Sequence, residues 1–493
     1  MRNHPLLYEI NTFAWLNTLS HRYGRGITLH NVPDEVLDTI AADHFDVVWL
    51  MGIWERSPDA RDIARSHEGL RNDYAHALPG FTEDDIIGSP YAIHRYAVDS
   101  RIGGRDGLAA FREALRRRGM ALILDYVPNH VANDHHWIHD HPDALLGGTD
   151  EDMLESPGHF YRARSGRIVA HGRDPYFPPW GDTAQVNAFS PAGRAVTREA
   201  LIEIAKQCDG VRCDMAMLLV NRIFAMTWGL NDHHQNEFWR EVIPAVKTAF
   251  PNFLFMAEVY WDMEHELQRL GFDYTYDKRL YDRLLHEGTA LVRDHLMASY
   301  KYQARMVRFL ENHDEPRALT AFGEKRIAAA AVLTLTLPGM KLIYEGQLEG
   351  RRVKLPVQLG RAPDEPLEAW LRDMYRSLLA EVNHPIYHDG VFMLLAAHPN
   401  PNESESVVHG AVIAYAWAYQ EHWRLIVVNR ADHAVRARVM LPQPSFRGSG
   451  QWHLSDALDD NHTKVVSGDD MLTAGIGVDL APNSAHIYHM EQK

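Results

Sequence analysis

Eight short apolar runs alternate with helix-patterned segments between Leu6 and Val382, and this rhythm predicts an α/β chain folded as a (β/α)8 TIM barrel. Two interruptions complete the prediction. Between Val131 and Ser190 the rhythm breaks into a stretch rich in His, Asp, Gly and Pro, which reads as a small insertion after strand 3. From about Asn383 strand-like runs follow one another with no helix between them, which reads as a C-terminal antiparallel β-sandwich domain. The expected division is 1–130 and 191–382 for the barrel, 131–190 for the inserted subdomain and 383–493 for the sandwich.

The elements are assigned in order. Leu6 to Phe13 is a strand, and Pro33 to Ala42 is a helix with proline in its first turn. Phe45 to Leu50 is an apolar, partly β-branched second strand. Asp106 caps a helix that runs to about Arg118 and stops at Gly119. Ala121 to Asp125 is almost wholly apolar, as a buried parallel strand requires. Ser190-Pro191 opens a helix to Lys206 in the N-cap and N1-proline pattern. Strand four begins at Gly210. A helix from about Gln235 to Ala249 leads to strand five, Phe253 to Glu258. A shorter helix precedes strand six, Phe272 to Tyr276. One long helix from Lys278 to about Ala298 precedes strand seven, Met306 to Leu310. A helix from Glu324 to Thr336, strand eight from Met340 to Tyr344 and a helix from Glu365 to Val382 close the barrel. In the C-terminal part, Val412 to Trp417, Trp423 to Val428, Ala434 to Leu441 and Ala485 to His489 read as strands.

The bulk numbers narrow the class. A formal net charge of −16 argues against a nucleic-acid or anionic-membrane partner. With only Cys208 and Cys213, neither a disulfide framework nor a thiolate zinc site is expected. No run of about 18 apolar residues predicts a membrane span, and the opening MRNHPLLYEINTF lacks a signal-peptide core, so a cytoplasmic protein is expected. His135, His136, His139 and His141 read as a polar loop rather than a metal site.

Chemistry is sought where barrel strands end, because that face carries the active site. Strand three ends Asp125-Tyr126-Val127-Pro128-Asn129-His130, and strand four ends Arg212-Cys213-Asp214. Strand five ends Glu258-Val259-Tyr260-Trp261, and strand seven ends Glu311-Asn312-His313-Asp314. Acids at four strand ends of one mouth suit retaining glycoside transfer, which needs an ionised nucleophile and a protonated acid about 5–5.5 Å apart. Strand periodicity puts Arg212 and Asp214 on one face, with Cys213 on the other. Arg212 is expected to keep Asp214 ionised, and the aromatic setting of Glu258 to raise its pKa. Asp314 suits stabilisation of an oxocarbenium-like transition state, and His130 and His313 suit hydrogen bonds to sugar hydroxyls.

These four stretches resemble, in order and spacing, the signature regions of the α-amylase superfamily, glycoside hydrolase family 13. The resemblance implies that Asp214 is the nucleophile, Glu258 the general acid/base and Asp314 the transition-state stabiliser. It implies substrate contacts from Asp125, His130, Arg212 and His313, with Tyr91 of Gly88-Ser89-Pro90-Tyr91 stacking on the sugar. Tyr260 and Trp261 join them as cleft aromatics, with Tyr176, Phe177 and Trp180 as further candidates. Gln185-Val186-Asn187 looks like a weak fifth region. Asn129 matches a common calcium ligand of the family, near Asp134 and Asp140, so a structural Ca2+ is one expectation; tying the insertion to the barrel is the other. No cofactor is required.

Two departures stand out. Met217 and Leu218 occupy positions where many amylases carry Lys-His, which implies a different acceptor side. Glu345 to Arg352 is a highly charged loop, either shaping specificity or held by salt bridges. The function that follows is a retaining α-glycosidase acting on α-glucosidic oligo- or polysaccharides. An α-glucan transglycosylase or phosphorylase with the same triad is the alternative. A metal-dependent barrel enzyme using Asp125, Asp214 and Glu258, and an inactive sugar-binding homologue, are more distant ones. Oligomeric state, sugar, linkage and chain length are not legible.

Overall fold

The computed structural model describes residues 1–231, 236–400, 404–442, 449–459 and 462–492. Eight parallel strands close a barrel: β1 (Leu6–Asn11), β2 (Val47–Met51), β3 (Ala121–Tyr126), β4 (Gly210–Cys213), β5 (Leu254–Ala257), β6 (Tyr274–Tyr276), β7 (Met306–Arg308) and β8 (Met340–Tyr344). They neighbour one another in chain order, and β8 returns to pair with β1 through Leu7 opposite Leu342. The strands are buried on both faces, which accounts for their unbroken apolar character. In the register, Arg212 of β4 lies beside Asp125 of β3 and Met256 of β5. Register neighbours in a parallel sheet share a face, so Arg212 and Asp125 project together into the barrel.

Several expected boundaries shift for local reasons. The first strand ends at Asn11, and Thr12–Tyr23 is already helix. The first crossover helix runs Asp34–Ala42, with Pro33 as its N-cap. Asp106 lies in the first turn of a helix that begins at Gly104 rather than capping it. Ser190 caps Pro191–Ala205 as expected, its hydroxyl accepting from the Ala192 and Gly193 amides. The helix expected from Gln235 begins at Phe238; Gln235 itself lies outside the described residues. The single helix expected over 278–298 is two, Lys278–His286 and Thr289–Leu296, because Glu287 and Gly288 take extended backbone. The helix expected at Glu324 is preceded by an extra turn from Ala318, joined to it through Gly323 at φ 69° and ψ 165°.

The insertion carries its own small core. Val131, Trp137, Ile138, Leu145, Val169 and Val186 pack together and against Val196 of the following helix. Two two-stranded ribbons frame it, His130–Ala132 with Thr183–Gln185 and Phe160–Arg162 with Ile168–Ala170. Short helices at Trp137–Asp140 and Asp150–Glu155 lie between and beside the ribbons. His135 is fully buried beside Trp137, so it is not part of a polar loop.

The C-terminal region forms two antiparallel sheets. Its strands are β9 (Val391–Leu395), β10 (Ala397–Pro399), β11 (Val412–Tyr419), β12 (His422–Asn429), β13 (Val435–Val439), β14 (Gln451–Asp456), β15 (Thr463–Ser467), β16 (Ile476–Leu480) and β17 (Ala485–Gln492). The six-stranded sheet runs β9-β11-β12-β17-β14-β15 and the three-stranded sheet β10-β13-β16. Contrary to expectation, helices Glu405–Ala411 and Gly468–Thr473 intervene, each burying an apolar side chain (Val408, Met471) in the sandwich core. The period-two alternation of β11 sends Val412, Ala414 and Ala416 into that core. Ile413, Tyr415 and Trp417 go into the barrel's core instead. Tyr415 hydrogen-bonds Thr336 at 2.5 Å, and Trp417 Nε1 donates to the Thr336 carbonyl at 2.7 Å. Both cysteines are buried and free. Among the described residues no helix is long and apolar enough to cross a membrane.

Glu381, on the helix Ala369–Val382, fixes the sandwich to the barrel. It accepts from Arg424 Nε and the Tyr387 hydroxyl, both at 2.9 Å, and meets His489 Nε2 at 2.9 Å. Burial would raise its carboxyl, but His489 and Arg424 outweigh that and hold it at about 2 rather than 4.5. A depressed folded pKa gives stability that is present above the unfolded value and lost as pH falls through the folded one. Glu381→Gln is therefore expected to cost about 3 kcal/mol at pH 7. The gap from wild type should close as pH falls from about 5 to about 2, as followed by denaturant unfolding at each pH.

Candidate active site

Arg212 is the centre of the mouth. Its side chain is wholly buried, yet charged, so it must be partnered. Nη1 hydrogen-bonds Asp214 Oδ1 at 2.6 Å, and Nη2 lies 2.8 Å from Glu258 Oε2. Asp125 Oδ1 and Asp314 Oδ2 stand further off, at 3.9 and 4.0 Å. Nε donates to the Tyr276 hydroxyl at 3.3 Å, and the rings of Trp49, Tyr91 and Tyr276 lie 5.3–5.7 Å from the guanidinium carbon. One guanidinium thus spans Asp214 and Glu258. It fills the space between acids where a divalent cation held by Asp125, Asp214 and Glu258 would have to sit.

Each acid is held differently. Burial pushes Asp214 up and is the larger effect, while Arg212 beside it works against that and favours its ionised form. Glu258 is pushed up by burial to about 7, as its apolar setting predicts. Its Oε1 accepts from the Tyr260 hydroxyl at 2.7 Å and its Oε2 from the Met215 amide at 2.6 Å. That amide is presented by Met215 in left-handed backbone at φ 38°. Asp314 is the most open of the three, with 42% of its side chain exposed against 9% for Asp214 and 5% for Glu258. Burial would raise Asp314, but His313 and Arg212 hold it well below the usual range.

Asp125 is a brace. Its Oδ2 accepts from the Gly52 amide at 2.9 Å and its Oδ1 from Trp49 Nε1 at 3.2 Å. Gly52 sits at φ 77°, and a Cβ there would lie 2.9 Å from Arg56 and Pro90, so only glycine allows this approach. Arg56 is buried and donates to the Gly88 carbonyl at 2.5 Å and the Val357 carbonyl at 3.0 Å, which anchors the segment that presents Tyr91. His130, held neutral by burial at about 4, lies beside the Tyr91 backbone and 5.0 Å from the Trp180 ring. Tyr91 stacks on His313 at 5.6 Å between centroids.

Trp261 lies outside this cluster. It is half exposed, in left-handed backbone at φ 64°, with Tyr176 edge-on at 5.0 Å. Phe177, Met215, Tyr260 and Trp261 line a neighbouring groove of about 470 Å³. Met217 and Leu218 are buried in the barrel core, so they offer this groove nothing. The charged loop after β8 is salt-bridged: Arg351 meets Glu345 at 2.9 Å, and Arg352 meets Glu324 and Glu368 at 3.0 Å. Lys354 donates to the Asp314 carbonyl.

Asn129 does the bracing that was the alternative to calcium. Its Oδ1 and carbonyl accept from Gln185 Nε2 at 3.0 and 2.8 Å, joining β3 to the end of the insertion. Asp134 faces His94 and Asp140 faces His136. Among the described residues no three His, Cys, Asp or Glu side chains gather as a metal site. Glu311, another strand-end acid, turns away to Arg317 at 2.6 Å.

Glu9 was missed. It is fully buried on β1, and its Oε1 lies 2.5 Å from His313 Nδ1. A strand-end survey passes over it because it sits mid-strand; a lone acid inside the apolar run Leu6 to Ile10 was the available signal.

A closed parallel barrel with acids converging on a buried arginine at its C-terminal mouth defines a glycoside hydrolase-like enzyme, and comparison with known proteins agrees. The family model for the alpha amylase catalytic domain matches residues 37–183 and 198–358, and the chain belongs to that family. An alpha-amylase of Haloarcula japonica is 27% identical over 62% of this chain, and a cyclomaltodextrinase of a Bacillus species 25% identical over 69%. The matched stretches span only 41% and 60% of those two relatives. A maltogenic alpha-amylase structure from Thermotoga neapolitana shares the fold with a TM-score of 0.70 at 18% identity, covering 99% of both chains.

Asp125→Asn would set an amide NH2 against the Gly52 or Trp49 N–H. A loss of about 1–3 kcal/mol in urea unfolding at pH 7 is expected, larger than for a surface Asp→Asn change.

Proposed function

We propose that the chain is a retaining α-glycosidase acting on α-glucosidic oligo- or polysaccharides by double displacement. The observation that carries this reading is the single buried guanidinium bridging Asp214 and Glu258 beneath a more open Asp314. Asp214 attacks the anomeric carbon as the bond to the leaving oxygen breaks, and Glu258 gives that oxygen its proton. Water then enters, loses a proton to Glu258 and attacks the same carbon, releasing Asp214. Asp314 and Asp214 face the positive charge that develops at the anomeric carbon in the transition state of each step. A Glu258 carboxyl near 7 is suited to act first as acid and then as base. All of this uses side chains alone.

Transfer to a second sugar is the rival reading. It is favoured by the groove at Phe177, Met215 and Trp261, whose apolar walls suit an acceptor ring. Maltooligosaccharide products longer than the substrate would indicate transfer.

Glu258→Gln with α-glucosyl fluoride is expected to accumulate a glycosyl-enzyme one hexose heavier, with the label on Asp214 by peptide mass. Asp214→Ala should carry no label and lose at least about 10³-fold in kcat. Labelling of another residue would overturn the assignment.

The pH dependence follows from Glu258. Its acid form is lost as pH rises through about 7, so kcat/KM with an unactivated substrate should fall there. The Tyr260 hydroxyl favours the ionised form. Tyr260→Phe is therefore expected to move that alkaline limb to higher pH, by up to about one unit.

A further inference from the structure

His313 sits between two acids. Its Nδ1 lies 2.5 Å from Glu9 Oε1, and its Nε2 lies 2.9 Å from Asp314 Oδ2 and 2.5 Å from the Tyr91 hydroxyl. The His313 and Glu9 side chains are both completely buried. Glu9 touches neither Asp214 nor Glu258 in any contact of the structure, and it belongs to β1, the strand opposite in order to the β4 and β5 acids. A buried carboxylate is costly unless a partner needs it. Here the partner is the residue on which Tyr91 and Asp314 both rest.

We propose that Glu9 is a positioning residue, which fixes the His313 ring from behind and through it the Asp314 carboxylate and the Tyr91 hydroxyl at the sugar-binding mouth. The geometry requires a proton on each ring nitrogen, because each faces a carboxylate. Burial alone would lower the imidazole; Asp314 and Glu9 outweigh it and hold it up at about 10. The groups that face this pocket from the other elements include Asp125 from β3, which feels both His313 and Glu9, Arg212 from β4, 4.0 Å from Asp314, Lys354, which also acts on Asp314, and Glu311, Tyr276 and Tyr344, which feel Glu9. The imidazolium thus balances two acids on the side of the mouth that Arg212 reaches least. With Glu9 neutral, His313 keeps only one anion, and its proton is lost at lower pH.

This inference deepens the glycosidase reading, and its kinetic arm rests on that reading. The test compares wild type with Glu9→Gln, which keeps shape and an acceptor oxygen but removes the charge. In 15N-histidine-labelled protein, the His313 signals are identified by their loss in His313→Gln. Wild type is expected to show both ring nitrogens protonated at pH 8. Glu9→Gln is expected to titrate about two units lower. The kinetic arm uses α-maltosyl fluoride, whose leaving group needs no acid, so Glu258 does not shape the alkaline side. Wild-type kcat should be flat from about pH 7 to 9, and Glu9→Gln should gain an alkaline limb near pH 8 with KM little changed. A singly protonated His313 in wild type at pH 8 would overturn the proposal even if Glu9→Gln does not fold. An unshifted His313 titration in Glu9→Gln would overturn it too. Failure of wild type to turn over the fluoride would count against the glycosidase reading, while the nitrogen signals still decide the role of Glu9.

Discussion

The site depends on one buried cation. Arg212 has no exposed surface, and a charge so placed is stable only where acids and polarisable rings surround it. The barrel supplies them by register. Asp125 is its lateral neighbour on β3, Asp214 follows two residues later just past the end of β4, and Glu258 lies just past the end of β5 on the other side. Take the guanidinium away and Asp214 and Glu258 lose the one cation that contacts them both. The constraint runs the other way as well: the acids are close only because one small cation holds both.

A second cation divides the work. Arg212 neutralises Asp214 and Glu258, while His313 serves Asp314 and Glu9. Because the acids differ in exposure and in the contacts that hold them, they differ in proton affinity. Glu258 and Asp125 are driven upward by burial, and Asp314 is driven down by its imidazolium. Acid and base roles can then coexist at one pH without any residue having to move far.

Much of this was legible because strand ends and periodicity are local properties. Arg212 and Asp214 share a face for the reason that every second residue of a strand does, and the four strand ends carried the acid set in short contiguous stretches. Glu9 was hidden by the same logic, since its partner His313 is more than three hundred residues away and no local pattern links them. The intervening helices of the sandwich each bury an apolar side chain that pairs with residues far along the chain, which no local pattern shows. Asn129 could be read as ligand or brace, and its partner Gln185, 56 residues on, is visible only once the chain is folded.

The six-stranded sheet also has a bearing on how the molecule comes apart. Its β11 strand contributes alternate side chains to two different hydrophobic cores, so it is a shared wall rather than the outer face of a separate module. Peeling it from the barrel would uncover Ile413, Tyr415 and Trp417 on one side and the helix around Thr336 on the other. A chain cut at the junction of barrel and C-terminal sheet would therefore expose an apolar surface that the intact chain keeps covered.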